Sequence, residues 1–186
     1  MGKIAVVTTN LAKGEEARRI LERLGVEAEV VEMEKLEVQS ESLEEIALRA
    51  ARAAFEVLRR PLLVDDSGLF VEALNGFPGP YSSYVYKKIG LRGILKLLQG
   101  EVNRSAYFKT ALAFVSPEGE KVFVGIVRGR IAEEPRGRGG FGFDPIFVPE
   151  GHDRTFAEME GWEKDRVSHR ARAYEAFARD RWGQGI

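Results

Sequence analysis

Leu62-Leu63-Val64-Asp65-Asp66-Ser67-Gly68 joins a short apolar run directly to two adjacent carboxylates. The run Leu62–Val64 predicts a buried strand that ends where the acidic residues begin. Two buried carboxylates repel each other and lose hydration, so a bare pair is unfavourable. A divalent cation removes both costs, and Mg²⁺ typically takes one or two carboxylates together with waters and substrate phosphates. The stretch therefore predicts a magnesium site at a strand end; the alternative is a plain turn over Asp66-Ser67-Gly68.

The segments upstream of this stretch predict alternating strands and helices. Lys3–Val7 and Ala28–Val31 have the short apolar composition of strands, and each is followed by apolar residues at helical spacing. Ser42, with Glu45 three residues later, is a capping-box pattern at the start of the second helix. Helices are therefore predicted over 12–24 and 43–58.

Downstream, two helices, a hairpin and a terminal helix are predicted. Gly90 divides the two helices, and Ser116-Pro117-Glu118-Gly119 has the composition of a hairpin loop. The predicted bounds are 84–89 and 91–98 for the helices, 107–115 and 121–131 for the hairpin strands, and 168–182 for the terminal helix. Strands alternating with helices, followed by a hairpin, predict an α/β fold in which helices flank a mixed β-sheet, within one domain over residues 1–186.

The composition excludes several classes of protein. Hydrophobic residues make up 44% and charged residues 31% of the chain, and no apolar run approaches the ~20 residues of a membrane span. The absence of cysteine excludes disulfides, zinc–thiolate sites and cysteine nucleophiles, and it favours a cytoplasmic location. The net charge of −1 argues against a nucleic-acid polymer as partner, although a few clustered basic side chains suffice for a small polyphosphate.

A polar segment between the first strand and the first helix is a candidate anion site. Thr8-Thr9-Asn10-Leu11-Ala12-Lys13 combines hydroxyl, amide and ammonium donors with the free N–H groups of a helix N-terminus. It lacks the glycine pattern of a P-loop. The simpler interpretation is ordinary N-capping of the helix by Thr9 or Asn10.

A glycine-rich loop around aromatic residues is a candidate base-binding segment. In Gly139-Gly140-Phe141-Gly142-Phe143-Asp144, the glycines let a flat ring approach the backbone and stack on phenylalanine. Lys164 and Ser168-His169-Arg170 add donors near the predicted last helix. The simpler interpretations are phenylalanines that fill the core and His169 as a capping or surface residue.

Together these segments resemble the inosine triphosphate pyrophosphatase family, enzymes that remove nonstandard purine nucleotides. The resemblance runs from Thr8 to Arg172 and keeps the motif order of the family. Its most specific blocks are Asp65-Asp66-Ser67-Gly68-Leu69 and Gly76-Phe77-Pro78-Gly79. The other matching stretches are Thr9-Asn10 with Lys13, Gly140–Phe147, Thr155–Met159 and Ser168-His169-Arg170.

The resemblance implies an elongated mixed sheet in two lobes with a central active-site cleft, a homodimer, and Mg²⁺-dependent hydrolysis of ITP, dITP and XTP to monophosphate and pyrophosphate. By matched position, Asp66 is expected to be the general base and a metal ligand, with Glu37 and Asp65 as further metal ligands. The residues expected at the phosphates are Thr8, Thr9, Asn10, Lys13 and Ser67. Those expected at the base and the rest of the nucleotide are Phe141, Gly142, Phe143, Asp144, Lys164, His169 and Arg170.

Two other functions stay open at this point. A Maf-like nucleotide pyrophosphatase shares the general architecture, but its arginine-rich N-terminal signature is absent where Asn10 and Lys13 stand. A catalytically inactive nucleotide sensor is the alternative from another class, and the intact Asp65-Asp66 pair argues against it. Arg49 occupies a position where many family members have lysine, so its role stays open.

Overall fold

Seven strands and five α-helices form the part of the chain that the computed structural model describes, residues 2–182. The strands are β1 (Ile4–Thr8), β2 (Ala28–Glu32), β3 (Leu62–Val71), β4 (Pro78–Gly79), β5 (Ser105–Ser116), β6 (Gly119–Ile131) and β7 (Phe147–Pro149). The helices are α1 (Leu11–Arg23), α2 (Leu43–Leu58), α3 (Ser82–Leu97), α4 (Gly161–Val167) and α5 (His169–Trp182). The predicted α/β class is confirmed.

The strands form one mixed sheet in the order β2-β1-β3-β5-β6-β7, with β4 paired to β3. Strand β1 is parallel to both β2 and β3, whereas β4 is antiparallel to β3 and β7 is antiparallel to β6. Parallel neighbours need a crossover connection, which α1 and α2 supply. Strands β5 and β6 need only the two-residue turn at Pro117 and Glu118, as the hairpin prediction required.

The chain divides into two compact units. The described residues of unit 1 lie in 2–66, 110–125 and 169–182, and those of unit 2 lie in 67–109 and 126–168. Strands β3, β5 and β6 each contribute residues to both units. The single domain of two lobes and the cleft between them stay predictions.

Each unit has its own hydrophobic core. In unit 1, Val6 of β1 and Ile20 of α1 pack in one cluster with Phe177 of α5. In unit 2, Ile94 of α3 and Phe108 of β5 belong to a second cluster, which the aromatic residues of β7 and the following segments complete. Within residues 2–182, no helix is both long and apolar enough to cross a membrane.

Strand β3 is longer than the sequence predicts. It continues from Leu62 through both aspartates to Val71, so the interpretation of Asp66-Ser67-Gly68 as a turn is wrong. Gly68 allows the strand to continue beside β4, because a Cβ atom there would lie 2.3 Å from the carbonyl oxygen of Gly79. The two carboxylates consequently lie within a strand, not at its end.

The helix predictions hold where local capping signals were present. Helix α2 has the predicted bounds, and the Ser42 hydroxyl accepts a 3.2 Å hydrogen bond from the backbone N–H of Glu45. Helix α1 begins one residue earlier than predicted, after an Asn10 cap. The two helices predicted around Gly90 form one element, α3, with a non-helical break at that glycine, where φ is 61°. The short elements α4, β4 and β7 were not predicted.

Candidate active site

Asp65 is the centre of a buried ionic network in unit 1. The residue is 4% exposed, and Oδ1 lies 2.5 Å from the ammonium of Lys13. Oδ2 accepts hydrogen bonds from the Arg170 guanidinium at 3.2 Å and from the Tyr174 hydroxyl at 3.0 Å. Burial disfavours the carboxylate, but Lys13 and Arg170 outweigh it and hold the pKa of Asp65 well below its usual range. Asp65 is therefore a fixed negative charge at neutral pH.

The network continues from Arg170 into the interior of unit 1. Its Nη1 lies 3.2 Å from Oε1 of Glu16, whose side chain is also buried. The guanidinium thus binds two carboxylates, which keep its pKa above the usual value although burial opposes this. This placement does not favour the predicted contact of Arg170 with a purine base. It favours a role in holding Asp65.

Asp66 has a different environment, although it is the next residue of the same strand. Its Oδ2 is buried and has no hydrogen-bond partner among residues 2–182. Burial raises the pKa of Asp66 to about 6, with the Asp65 and Glu37 carboxylates adding to the rise and the ammonium groups of Lys13 and Lys35 opposing it. A carboxylate that titrates near neutrality and has a free lone pair is suited to accept a proton or bind a cation.

The irregular segment between β2 and α2 adds two charges to this region. The exposed Glu37 lies close enough to influence the pKa of both Asp66 and Lys35. The ammonium of Lys35 lies 3.5 Å from the backbone carbonyl oxygen of Asp65. The neighbouring Lys13, together with burial, lowers the pKa of Lys35 to about 8. We call Lys13, Lys35, Glu37, Asp65 and Asp66 the lysine–carboxylate cluster.

The start of α1 combines a cap with exposed donors. Thr8 is buried, and its hydroxyl accepts a hydrogen bond from the N–H of Asn10 at 3.0 Å. Asn10 in turn caps the helix, because its side-chain oxygen accepts from the N–H of Lys13 at 3.1 Å. Thr9 is exposed. The N-capping interpretation is confirmed for Asn10, and the exposed first turn also keeps the features of a helix N-terminal anion site.

A second set of predicted residues meets in unit 2. The Asp144 side chain is buried, and its Oδ2 accepts from the backbone N–H of Phe141 at 3.0 Å and from the Lys164 ammonium at 2.7 Å. The same ammonium lies 4.5 Å from the centroid of the half-buried Phe141 ring. At Gly140 a Cβ atom would lie 2.1 Å from Asp144 Oδ2, so the loop requires glycine there. Phe141, Asp144 and Lys164 form what we call the aromatic–lysine cluster.

The other predicted residues have mixed placements. Phe143 is 4% exposed and packs edge-to-face against Tyr86 with ring centroids 5.4 Å apart, so it belongs to the core of unit 2, as the simpler interpretation held. Gly142 is half-buried and has a φ of 58°. His169 is buried at the start of α5 rather than at the surface. Ser67 follows Asp66 in β3 and is half-buried.

The sequence of residues 4–180 matches the Ham1 family. This chain belongs to the Ham1 family. Proteins named dITP/XTP pyrophosphatase from Methanopyrus kandleri and Saccharolobus solfataricus are 56% and 57% identical to it over 177 and 176 residues. Each alignment covers 95% of this chain and, respectively, 94% and 92% of the relative. The predicted family resemblance is confirmed.

Solved Ham1 structures share the fold of this Ham1-family protein. The Staphylococcus aureus Ham1 protein superposes with a TM-score of 0.82 at 30% identity, covering 98% of this chain and 100% of that one. A HAM1 protein from Coxiella burnetii gives a TM-score of 0.83 at 32% identity, over 96% and 97% of the two chains. These superpositions support the mixed α/β architecture over almost the whole chain.

Among residues 2–182, Asp66 and Glu37 are the two carboxylates of this region that could hold a metal ion. Within residues 2–182, no group of three or more His, Asp or Glu side chains is placed to hold one. Asp65 already binds Lys13, Arg170 and Tyr174, so its predicted role as a metal ligand is not favoured. In the described part of the chain, Asp66 has a buried oxygen without a hydrogen-bond partner, and Glu37 is near it. Two carboxylates fit Mg²⁺, which fills its remaining positions with water and substrate phosphates.

Three residues of the ionic region were not predicted from the sequence. Glu16 and Tyr174 lie on helices whose apolar spacing predicts only a core-facing side, and Lys35 lies in a segment without regular structure. A buried glutamate on an amphipathic helix has no distinctive sequence signal. For Lys35, the one available signal was its position two residues before the predicted ligand Glu37.

Proposed function

We propose that this protein is a Mg²⁺-dependent pyrophosphatase that hydrolyses the nonstandard purine nucleoside triphosphates ITP, dITP and XTP to monophosphate and pyrophosphate. The archaeal relatives that are more than half identical to it carry the name dITP/XTP pyrophosphatase. The observation that carries the proposal is Asp66, a largely buried carboxylate in a strand beside two lysines, with one oxygen that has no hydrogen-bond partner among residues 2–182.

The proposed reaction begins with proton transfer. The Asp66 carboxylate takes a proton from a water molecule, whose oxygen attacks the α-phosphorus. The bond from the α-phosphorus to the bridging oxygen breaks, and pyrophosphate leaves with the electron pair. General-base assistance of this kind is typically worth ~10²–10⁴-fold. When bound by Asp66 and Glu37, Mg²⁺ would neutralise phosphate charge that otherwise repels the nucleophile.

Lys13 and the start of α1 are proposed to bind the phosphates. The ammonium of Lys13 is held by both the carbonyl oxygen and the carboxylate of Asp65, at 2.8 and 2.5 Å. Asp65 thereby acts as a positioning residue, because it fixes the location of a cation that stabilises developing negative charge. Thr9 and the amide group of Asn10 are exposed immediately before the first turn of α1, where a helix N-terminus favours anions.

The aromatic–lysine cluster has the chemistry to bind a purine. Phe141 offers a half-buried ring for stacking, and the Lys164 ammonium and Asp144 carboxylate are held at fixed positions beside it. Selection requires a donor for the carbonyl at purine position six, since adenine carries an amine there. A buried donor discriminates strongly against adenine, because the donor has no acceptor when it faces the amine. Lys164 and His169 are the candidates, since the guanidinium of Arg170 binds two carboxylates.

A panel of triphosphates tests the proposal. Purified protein with Mg²⁺ is expected to release pyrophosphate from ITP, dITP and XTP much faster than from ATP, CTP or UTP. Preference for pyrimidine triphosphates would favour a Maf-like enzyme, and binding without turnover would favour a sensor. Products of diphosphate and orthophosphate would contradict attack at the α-phosphorus. The homodimer and the cytoplasmic location stay predictions, which sedimentation and fractionation can check.

A further inference from the structure

Lys35 brings a second ammonium group to the carbonyl oxygen that already binds Lys13. The oxygen of Asp65 accepts from Lys13 Nζ at 2.8 Å, and Lys35 Nζ lies 3.5 Å from the same atom. The two lysines reach this point from different elements, helix α1 and the irregular segment after β2. One carbonyl oxygen is therefore the shared neighbour of two positive charges.

The ammonium of Lys35 has little of its hydrogen-bonding capacity satisfied by protein. Among residues 2–182 it makes no salt bridge within 4.0 Å, and the 3.5 Å contact is at the outer limit of a hydrogen bond. Lys13, by contrast, has both a carboxylate and a carbonyl oxygen within 2.8 Å. Because an ammonium has three donors, Lys35 keeps donors available while its side chain is half-buried.

Lys13 and Lys35 bring two like charges to one point of the cluster. Asp65 is shared between Lys13 and Arg170, so its charge is already compensated by those two cations. The ammonium groups of Lys13 and Lys35 contact the same carbonyl oxygen, at 2.8 and 3.5 Å, so two like charges lie close together. Two like charges held together in a partly buried site are stabilised by an anion that contacts both.

We propose that Lys35 is a phosphate-binding residue that, together with Lys13, binds the pyrophosphate part of the substrate, the β- and γ-phosphates. The inference rests on the proposed function and adds a residue that the sequence patterns did not indicate. During hydrolysis the leaving pyrophosphate gains negative charge as the bond to the α-phosphorus breaks. Two ammonium groups at that end of the substrate stabilise this charge in the transition state.

Binding of inorganic pyrophosphate tests Lys35 separately from turnover. Lys35→Met removes the charge and keeps most of the stem, Lys35→Arg keeps the charge, and Lys3→Met is the matched control at an exposed lysine before β1. Titration calorimetry with Mg²⁺ is expected to show pyrophosphate binding weakened about 10- to 100-fold in Lys35→Met, the range for a hydrogen bond to a charged group. Lys35→Arg is expected to recover most of this affinity, and Lys3→Met to match the unmodified protein.

Inosine monophosphate, which lacks the pyrophosphate part, is the second ligand of the test. Its affinity is expected to stay within about threefold in Lys35→Met, because the proposed contacts are to the other phosphates. Unchanged pyrophosphate binding, or equal weakening of both ligands, would overturn the assignment. If circular dichroism shows that the Lys35→Met variant is unfolded, Lys35→Gln removes the same charge and takes its place in the test. Should the unmodified protein fail to hydrolyse ITP, dITP and XTP, the proposed function fails, and the pyrophosphate titration still decides the role of Lys35.

Discussion

Replacing Asp66 with asparagine is expected to lower activity and raise the stability of the metal-free protein. The substitution keeps the size of the side chain but removes the proton acceptor and weakens cation binding. We expect kcat for dITP to fall at least ~10²-fold, the lower end of general-base catalysis. Pyrophosphate release measures this, with Asp153→Asn as the control because Asp153 is an exposed aspartate in unit 2.

The stability change follows from the raised pKa of Asp66. The pKa of Asp66 is about 6 in the folded protein, against 3.8 for an ordinary aspartate side chain. The folded state therefore binds more protons than the unfolded chain between these values, so the free energy of unfolding falls as pH rises through them. A pKa difference of one corresponds to about 1.4 kcal/mol, so this rise of about two means that ionising Asp66 in the folded protein costs about 3 kcal/mol at pH 7.

Chemical denaturation in EDTA measures this cost directly. Asp66→Asn is expected to be more stable than the unmodified protein by up to about 3 kcal/mol at pH 7, and the difference should vanish below about pH 4. Near-normal turnover in the variant would show that Asp66 is not the base, and Asp65 or Glu37 would become the next candidate. If the stability gain of the variant over the unmodified protein is no larger at pH 7 than at pH 4, the electrostatic reasoning is refuted.

Three further perturbations test other parts of the site. Exhaustive chelation with EDTA should abolish turnover and added Mg²⁺ should restore it, since the protein supplies carboxylates and no thiols; full activity after chelation would contradict the metal role. Phe141→Ala should weaken nucleotide binding by roughly 1–3 kcal/mol with little loss of stability. Phe143→Ala should instead lower the free energy of unfolding by about 3–5 kcal/mol, because it leaves a cavity in the core. If both variants change binding and stability equally, the assignment of Phe141 to the base site and Phe143 to the core is refuted. Arg170→Met should destabilise the fold by about 3–5 kcal/mol, because it leaves the Asp65 and Glu16 carboxylates buried without their shared cation. Urea unfolding measures this, and an unchanged unfolding midpoint would contradict the proposed role of Arg170 in the ionic network.

The elements that local sequence predicted correctly are those whose signals lie within a few residues. Helix α2 begins after Ser42 and ends at Leu58 as predicted, because a side-chain cap and apolar periodicity act over one or two turns. The prediction for β3 is wrong at Asp65, because the charged residues predict an end that the strand does not have. The burial of Asp65 is possible because Lys13 and Arg170, from distant parts of the chain, compensate its charge, and no local pattern indicates that.

The sequence by itself determined the family, the α/β class and the residue types of the site, since motif order and hydrophobic periodicity are properties of the chain. Only the tertiary structure decided which of two adjacent aspartates is fixed as an anion and which titrates near neutrality. Successive strand residues point to opposite faces, so Asp65 and Asp66 meet different partners. The partners of Asp65 lie 52, 105 and 109 residues away in the chain, at Lys13, Arg170 and Tyr174. Burial and Coulomb interactions depend on distance in space, so the different pKa values of these two aspartates arise only once the chain has folded.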